Sequence, residues 1–172
     1  MSVSILGINY NINTTHISLR KMGLNHFPDE IFLLVNLRSL ILNNNQITYI
    51  PDSISSLVNL QLLDLYNNKI TDIPDSILRL TNLRILNLNK NQIETIPDSI
   101  SLLTKLRWFY LCDNHITFIP DLILTLNLER LYLNDNHIDD LRILLSMSIK
   151  HIEFLNQTPR LLCFPSIIIY FF

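Results

Sequence analysis

The stretch LRSLILNNNQITYIPDSISSLVN, residues 37–59, is followed by LQLLDLYNNKITDIPDSILRLTN, residues 60–82, with leucine, asparagine, isoleucine and proline at the same places. Units begin 23 residues apart at Leu37, Leu60, Leu83 and Leu106, and the next begins 22 residues later at Leu128. Their shared pattern is L-x-x-L-x-L-x-x-N-x-I-x-x-I-P-x-x-I-x-x-L-x-N. Because the constant residues recur once per unit, the sequence predicts a solenoid whose variable residues form the surface.

Each unit combines features of a strand and of a helical turn. Leu63 and Leu65 are two residues apart, as on the buried face of a short strand. Ile73, Ile77 and Leu80 then follow at spacings of four and three, the period of a helix. A proline precedes this helical part in five units, at Pro28, Pro51, Pro74, Pro97 and Pro120. We expect proline at the first helical position, where its fixed φ fits and its missing N–H costs nothing.

Two polar residues also recur. An aspartate follows each proline, at Asp29, Asp52, Asp75, Asp98 and Asp121, where a carboxylate favours a helix N-terminus. The ninth position of the unit is asparagine at Asn45, Asn68, Asn91, Asn114 and Asn136. Because an amide both donates and accepts, a ladder of these side chains is expected to satisfy backbone groups where the chain turns.

This pattern resembles that of the leucine-rich repeat family, in its type with 23-residue, Ile-Pro-containing units. The resemblance implies an α/β solenoid, an arc with a parallel β-sheet on the concave face and short helical turns on the convex face. Proteins of this type are usually intracellular scaffolds that bind other proteins, some of them small GTPases or signalling enzymes. We therefore expect a non-enzymatic interaction module that binds a protein partner on its concave face. The alternative is a regulatory or substrate-recruiting fragment of a larger leucine-rich repeat protein.

The repeats weaken towards both ends of the chain. We predict a single domain over residues 1–160, with regular repeats over about 14–148 and a degenerate last strand within 149–157. Residues 14–36 are expected to form a first, partly cap-like repeat, because Met22 stands where the ladder asparagine belongs. The apolar tail, residues 161–172, is too short to span a bilayer as a helix. It is interpreted as a cap, with a truncation remnant or a membrane or partner anchor as alternatives.

Composition narrows the functional classes. A formal net charge of -2 at pH 7 gives no overall field that attracts nucleic acid, so no nucleic-acid partner is expected. Cys112 and Cys163 show no spacing typical of disulfide frameworks or zinc sites. The N-terminus has no basic segment followed by a long apolar run, so it does not resemble a secretory signal. We expect a cytoplasmic monomer that uses no cofactor.

Candidate binding residues lie at the third, fifth, seventh and eighth positions of each unit. Their side chains are expected to point outward from the concave face into solvent. The only tryptophan and three tyrosines fall there. Aromatic residues beside an arginine dominate protein interfaces. The predicted partner-binding residues are Trp108, Tyr110, Tyr132, Arg130, Tyr66, Leu62, Asp64, Ile85 and Asn87. The alternative is that strands favour aromatic residues and that neighbouring rings only stack on each other.

A second constellation carries groups that ligate metals. CDNH at residues 112–115 and NDNH at residues 134–137 occupy the same positions of adjacent units. Two histidines and two aspartates could bind a divalent metal, and Cys112 beside a histidine could act as a nucleophile. Duplication of a unit explains the matching residues equally well, and the histidines are expected in the turn, away from the aspartates. We find no phosphate-binding loop or nucleophile elbow, and we predict neither a metal site nor a catalytic residue.

Overall fold

The computed structural model describes residues 1–138 and the backbone of residues 151–153. Within them the strands are β1 Ser2–Ile5, β2 Ile8–Asn11, β3 His16–Ser18, β4 Ser39–Ile41, β5 Leu62–Asp64, β6 Ile85–Asn87, β7 Trp108–Tyr110, β8 Arg130–Tyr132 and β9 His151–Glu153. Strands β3 to β9 form one sheet in chain order, and all of its pairs are parallel. Strands β1 and β2 form a separate antiparallel hairpin. The predicted solenoid with a parallel sheet is confirmed.

The sheet holds each repeat in register with the next. Leu63, at the centre of β5, lies beside Leu86 of β6, and Leu86 lies beside Phe109 of β7. All three side chains are completely buried. Side chains alternate between the two faces of a strand, so the residues on either side of each central residue lie on the other face. The core therefore runs as a continuous column beneath the sheet.

Short helices connect the strands on the opposite side. They are 3-10 helices at Asp29–Leu33, Asp52–Ser56, Asp75–Arg79, Asp98–Leu102 and Asp121–Thr125. Each inserts an isoleucine into the core, and Ile54 and Ile77 are completely buried. The turn is thus tighter than an α-helix, with i to i+3 hydrogen bonds.

The position predicted for proline was wrong by one residue. Pro51 is the N-cap of its helix, with φ -75° and an extended ψ of 155°, and Asp52 is the first helical residue. The Ile54 N–H donates to the Pro51 carbonyl at 3.0 Å. An N-cap residue has extended backbone while its carbonyl accepts the first helical bond, and proline meets both conditions.

The ladder asparagines bond to the backbone as predicted. Asn68 Nδ2 donates to the carbonyls of Leu42 and Leu65 at 3.1 and 3.0 Å, and Asn68 Oδ1 accepts from the Ile47 N–H at 3.0 Å. Asn91 bonds in the same way. Each asparagine therefore serves both its own repeat and the preceding one.

This arrangement explains why Met22 is tolerated at a ladder position. Asn45 Oδ1 accepts from the N–H groups of Met22 and Leu24 at 2.9 and 3.1 Å. Asn45 Nδ2 also donates to the Leu19 carbonyl at 2.9 Å. The first repeat is thus completed by the second, and it needs no ladder asparagine of its own.

The hairpin at the N-terminus was not predicted. Its two-residue turn, Leu6 and Gly7, has positive φ at both residues, 50° and 79°, as a tight hairpin turn requires. Ile5 is completely buried and belongs to the core cluster. Residues 14–36 form a repeat with a strand and a 3-10 helix, and β1 of the hairpin packs against this helix at the end of the core.

At the other end, β9 lies within the segment predicted to hold a degenerate last strand. Its Ile152 lies beside Leu131 of β8. The predictions for the tail, residues 161–172, fall outside the described residues. In the part of the chain that is described, no helix has the length and apolarity needed to cross a membrane.

Candidate partner-binding site

The predicted site residues form one surface across four strands. We call this surface the concave wall; it comprises the third- and fifth-position residues of β5 to β8 together with Tyr66. In register along the third position lie Leu62, Ile85, Trp108 and Arg130, and along the fifth lie Asp64, Asn87, Tyr110 and Tyr132. Arg130 is exposed, and the other members are half-buried. The sheet therefore brings all nine predicted residues onto one solvent-accessible surface.

Tyr110 and Tyr132 form a stacked pair on neighbouring strands. Their ring centroids are 4.8 Å apart and their planes differ by 6°. Burial raises the pKa of the Tyr110 hydroxyl above its ordinary value of 10.0, and the charge of a deprotonated Tyr132 would raise it further, whereas Arg130 lowers it. Tyr110 therefore stays a neutral hydrogen-bonding group throughout the physiological pH range.

Arg130 joins the tryptophan to the tyrosines. Its guanidinium carbon lies 5.4 Å from the Trp108 ring centroid, a cation–π distance, and its Nη1 is 3.1 Å from the Tyr132 hydroxyl. Trp108 Nε1 donates to Glu129 Oε2 at 3.3 Å. These contacts hold the large side chains of Trp108, Arg130 and Tyr132 against one another. Glu129, at the second position of its unit, was missing from the predicted set.

At the N-terminal side of the wall, the side chains of Asp64, Asn87 and Tyr66 already contact other parts of the chain. Asp64 accepts hydrogen bonds from Asn43 Nδ2 at 2.9 Å and from the Tyr66 N–H at 3.0 Å. Asn87 Oδ1 similarly accepts from a backbone N–H two residues on, at 3.2 Å. Both side chains therefore stabilise the chain as it leaves the strand. Tyr66 is covered on one face by Lys90, whose Nζ is 5.8 Å from the ring centroid.

The candidate metal ligands lie beyond the strands. His115 and His137 stack with ring centroids 5.9 Å apart and planes 9° from parallel. Asp113 and Asp135 occupy the eighth position, where the backbone is left-handed with φ of 55° and 56°. Among the residues that the structure describes, no group of three or more histidine, cysteine, aspartate or glutamate side chains is placed to hold a metal ion.

The class of protein follows from this geometry and from comparison with known families. A family model described as a leucine-rich repeat region matches residues 16–157. The chain belongs to the leucine-rich repeat family. Comparison with curated proteins gave no match.

Three solved structures place the chain among repeat proteins of diverse origin. A leucine-rich repeat protein of Leptospira interrogans is 31% identical, with TM-score 0.58, and the match covers 76% of this chain and 40% of the other. The plant peptide hormone receptor RGFR1, solved in complex with RGF2, is 31% identical, with TM-score 0.59 and coverages of 64% and 18%. The internalin InlF from Listeria monocytogenes is 29% identical, with TM-score 0.58 and coverages of 74% and 44%. The chain thus spans less than half the length of each of these structures.

Proposed function

We propose that the chain is a non-enzymatic interaction module that binds a protein partner on the concave wall. The observation that carries this proposal is the aromatic group of Trp108, Tyr110 and Tyr132, held on a solvent-accessible sheet and joined by Arg130. Tryptophan, tyrosine and arginine are the residues most enriched among those that dominate binding energy.

A rigid support strengthens this proposal. Phe109, between Trp108 and Tyr110, is completely buried, so the backbone that carries the two rings is fixed by the core. Tyrosine and tryptophan lose little side-chain entropy on binding because they have only two χ angles. A partner would therefore meet a surface that is largely ordered before contact, which lowers the free-energy cost of association.

The test compares a double variant in the wall with a control double variant outside it. Trp108→Ala with Tyr110→Ala removes the aromatic group, and Leu102→Ala with Phe118→Ala removes two exposed apolar side chains outside the wall, 59% and 56% accessible. A partner is first captured from the native cell and identified, and its affinity is then measured with purified proteins. We expect the wall variant to lose about 10-fold or more in affinity and the control to stay within about twofold of the parent. Equal loss in both variants would contradict the proposal.

A second candidate is a regulatory or substrate-recruiting unit that works with a larger leucine-rich repeat protein or a separate enzyme. This chain matches 40%, 18% and 44% of the lengths of the three solved structures, which is compatible with such a unit. It differs from the first candidate in the kind of partner. The captured partner would then be an enzyme, and this chain would bring it a substrate. Removing the aromatic group should slow the enzyme's turnover of that substrate and not of its other substrates.

Location and oligomeric state are part of the proposal. We propose a cytoplasmic monomer, because the chain shows no disulfide pattern and its concave wall is available only when no second copy covers it. Fractionation of the native cell tests the location, and light scattering of the purified chain tests the oligomeric state. A concentration-dependent dimer that is lost in the Trp108→Ala variant would instead make a second copy the partner.

A further inference from the structure

Basic and acidic residues lie on different parts of the solenoid, which the net charge of the whole chain does not show. We call the edge at which the strands begin the strand-start edge; it comprises segments 35–39, 58–62, 81–85, 104–108 and 127–130. Its charged residues are Arg38, Arg84, Lys105, Arg107 and Arg130, with Glu129 as the single acid. The helices on the opposite side instead begin with exposed aspartates and carry one base, Arg79. A nearly neutral chain therefore has one strongly basic edge.

This edge overlaps the concave wall, because both include Leu62, Ile85, Trp108 and Arg130. Arg84 and Arg107 occupy the second position of their units and immediately precede the wall residues Ile85 and Trp108. Arg38 occupies the same position two repeats before Arg84. A ligand on the wall therefore passes beside a row of guanidinium groups.

Some of these arginines are held in place and others are open to a ligand. Arg107 Nη1 donates to the carbonyls of Thr104 and Leu106 at 3.1 and 2.9 Å, which fixes its side chain against the preceding turn. Arg38 and Arg84 are exposed. Within residues 1–138, the structure shows no hydrogen bond or ion pair to either of these two guanidinium groups. Their donors are available for carboxylates.

We propose that the partner presents an acidic segment in extended conformation, which crosses the strands with its carboxylates on the strand-start edge and its apolar side chains on the concave wall. This inference rests on the proposed function of the wall. Its basis is that the basic strand-start edge would attract carboxylates, and that it lies beside an apolar column formed by Leu62, Ile85 and Trp108.

The spacings fit such a segment. Parallel strands lie about 4.8 Å apart, so the four steps from the repeat of Arg38 to that of Arg130 span about 19 Å. An extended chain rises about 3.3 Å per residue, so about six residues cover this distance, with alternate side chains on opposite sides. A segment that alternates acidic and apolar residues places one set on the arginines and the other on the wall.

A polypeptide fits these observations better than nucleic acid or an anionic membrane. Phosphate backbones bind through many basic contacts and need little apolar surface. Here the basic row is one edge of a wall that carries Leu62 and Ile85, and Asp113 and Asp135 are exposed at the far end of their strands. Those carboxylates would repel a polyanion that lay across the full width of β7 and β8, although Lys90 occupies the same position one repeat earlier.

The test is selection of binders from a random 12-residue peptide display library by the purified chain and three variants. The Arg38→Gln, Arg84→Gln double variant removes two charges from the strand-start edge. The Arg79→Gln variant removes a charge from the end of a helix, outside the strand-start edge, and its side chain is also exposed. The Trp108→Ala, Tyr110→Ala variant removes the aromatic group of the wall.

We expect the parent and Arg79→Gln to enrich peptides with an excess of aspartate and glutamate between apolar residues. A selected peptide should bind the double arginine variant about 3- to 10-fold more weakly, and raising the salt concentration should weaken parent binding by a similar factor. If the enriched peptides show no excess of acidic residues, the inference of an acidic partner segment is wrong, but the proposed function of the wall is not contradicted. Failure to enrich any peptide, or enrichment unchanged by the wall variant, would overturn both. Tighter binding of a 20-nucleotide oligothymidylate or of phosphatidylserine vesicles than of the selected peptide would overturn the polypeptide partner.

Discussion

The rings of Tyr110 and Tyr132 stack across two neighbouring strands with centroids 4.8 Å apart, and Arg130 Nη1 lies 3.1 Å from the Tyr132 hydroxyl. The repeat unit itself produces this relationship. Residues one unit apart lie side by side in a parallel sheet, so a chemical property repeated in the sequence becomes a continuous surface. The pair can therefore be used to test the geometry of the concave wall directly.

The titration of Tyr110 reports on this pair. Because burial raises its pKa above 10.0, neutral Tyr110 contributes stability that is fully present below pH 10 and is lost as the pH rises through the folded-state pKa. Tyr132→Phe keeps the ring but removes the ionisable hydroxyl that raises the pKa of Tyr110, so we expect it to lower that pKa. Ultraviolet titration of tyrosinate, with Tyr110→Phe to assign the signal, measures this. A Tyr110 that titrates at or below 10.0 in the folded chain would contradict the structure.

Three consecutive residues, Trp108, Phe109 and Tyr110, should differ sharply in their effect on stability. Phe109 is 0% exposed, so Phe109→Ala should cost about 3–5 kcal/mol of unfolding free energy. Trp108→Ala and Tyr110→Ala should each cost less, about 1–2 kcal/mol, because these side chains are only half-buried. Urea unfolding measures all three. If Trp108→Ala destabilises the chain as much as Phe109→Ala, the register of β7 is wrong.

Removal of a ladder asparagine should be costly. Asn91→Ala leaves the Ile70 N–H without its acceptor, whereas the carbonyls of Leu65 and Leu88 each keep a second amide donor, from Asn68 and Asn114. We expect a loss of about 1–3 kcal/mol, because an unpaired buried N–H bears the full cost of desolvation. Gln92→Ala, at the adjacent exposed position, should change stability by less than about 0.5 kcal/mol. Equal urea midpoints for the two variants would show that the ladder is not needed.

The eighth position is asparagine or aspartate in four of six repeats, and a backbone reason for this can also be tested. Its residues are left-handed, with φ of 57° at both Lys21 and Asn44. Asparagine tolerates this conformation better than lysine does. Lys21→Asn should therefore stabilise the chain by about 0.5–1 kcal/mol, whereas Arg20→Asn should have almost no effect. Thermal unfolding in which Lys21→Asn lowers the midpoint would refute the explanation.

The repeat determined most of the fold because one pattern encodes strand, core, turn and ladder together. Features outside the period were missed. The N-terminal hairpin depends on a single two-residue turn, Leu6 and Gly7, which occurs once in the chain and has no neighbouring copy for comparison. The spacing of Ile73, Ile77 and Leu80 indicated a helical turn, but the same spacing suits both an α-helix and a 3-10 helix.

The candidate site was predictable in position and less so in chemistry. Alternation along a three-residue strand was sufficient to place Trp108 and Tyr110 outside the core. It could not show that the carboxylate of Asp64 accepts two hydrogen bonds from its own chain, since those depend on side-chain rotamers. The basic strand-start edge was visible in the second-position column, but a net charge summed over the whole chain cancelled it against the aspartates of the helices.

The most direct measurement uses the single tryptophan of the chain. Acrylamide quenching of Trp108 fluorescence, recorded with and without a saturating peptide from the display selection, reports whether this ring is accessible and whether a ligand covers it. We predict strong quenching in the unbound chain and a clear reduction when the peptide is bound. A Trp108 already shielded without ligand, or quenched equally with the peptide bound, would contradict a concave wall that binds a polypeptide.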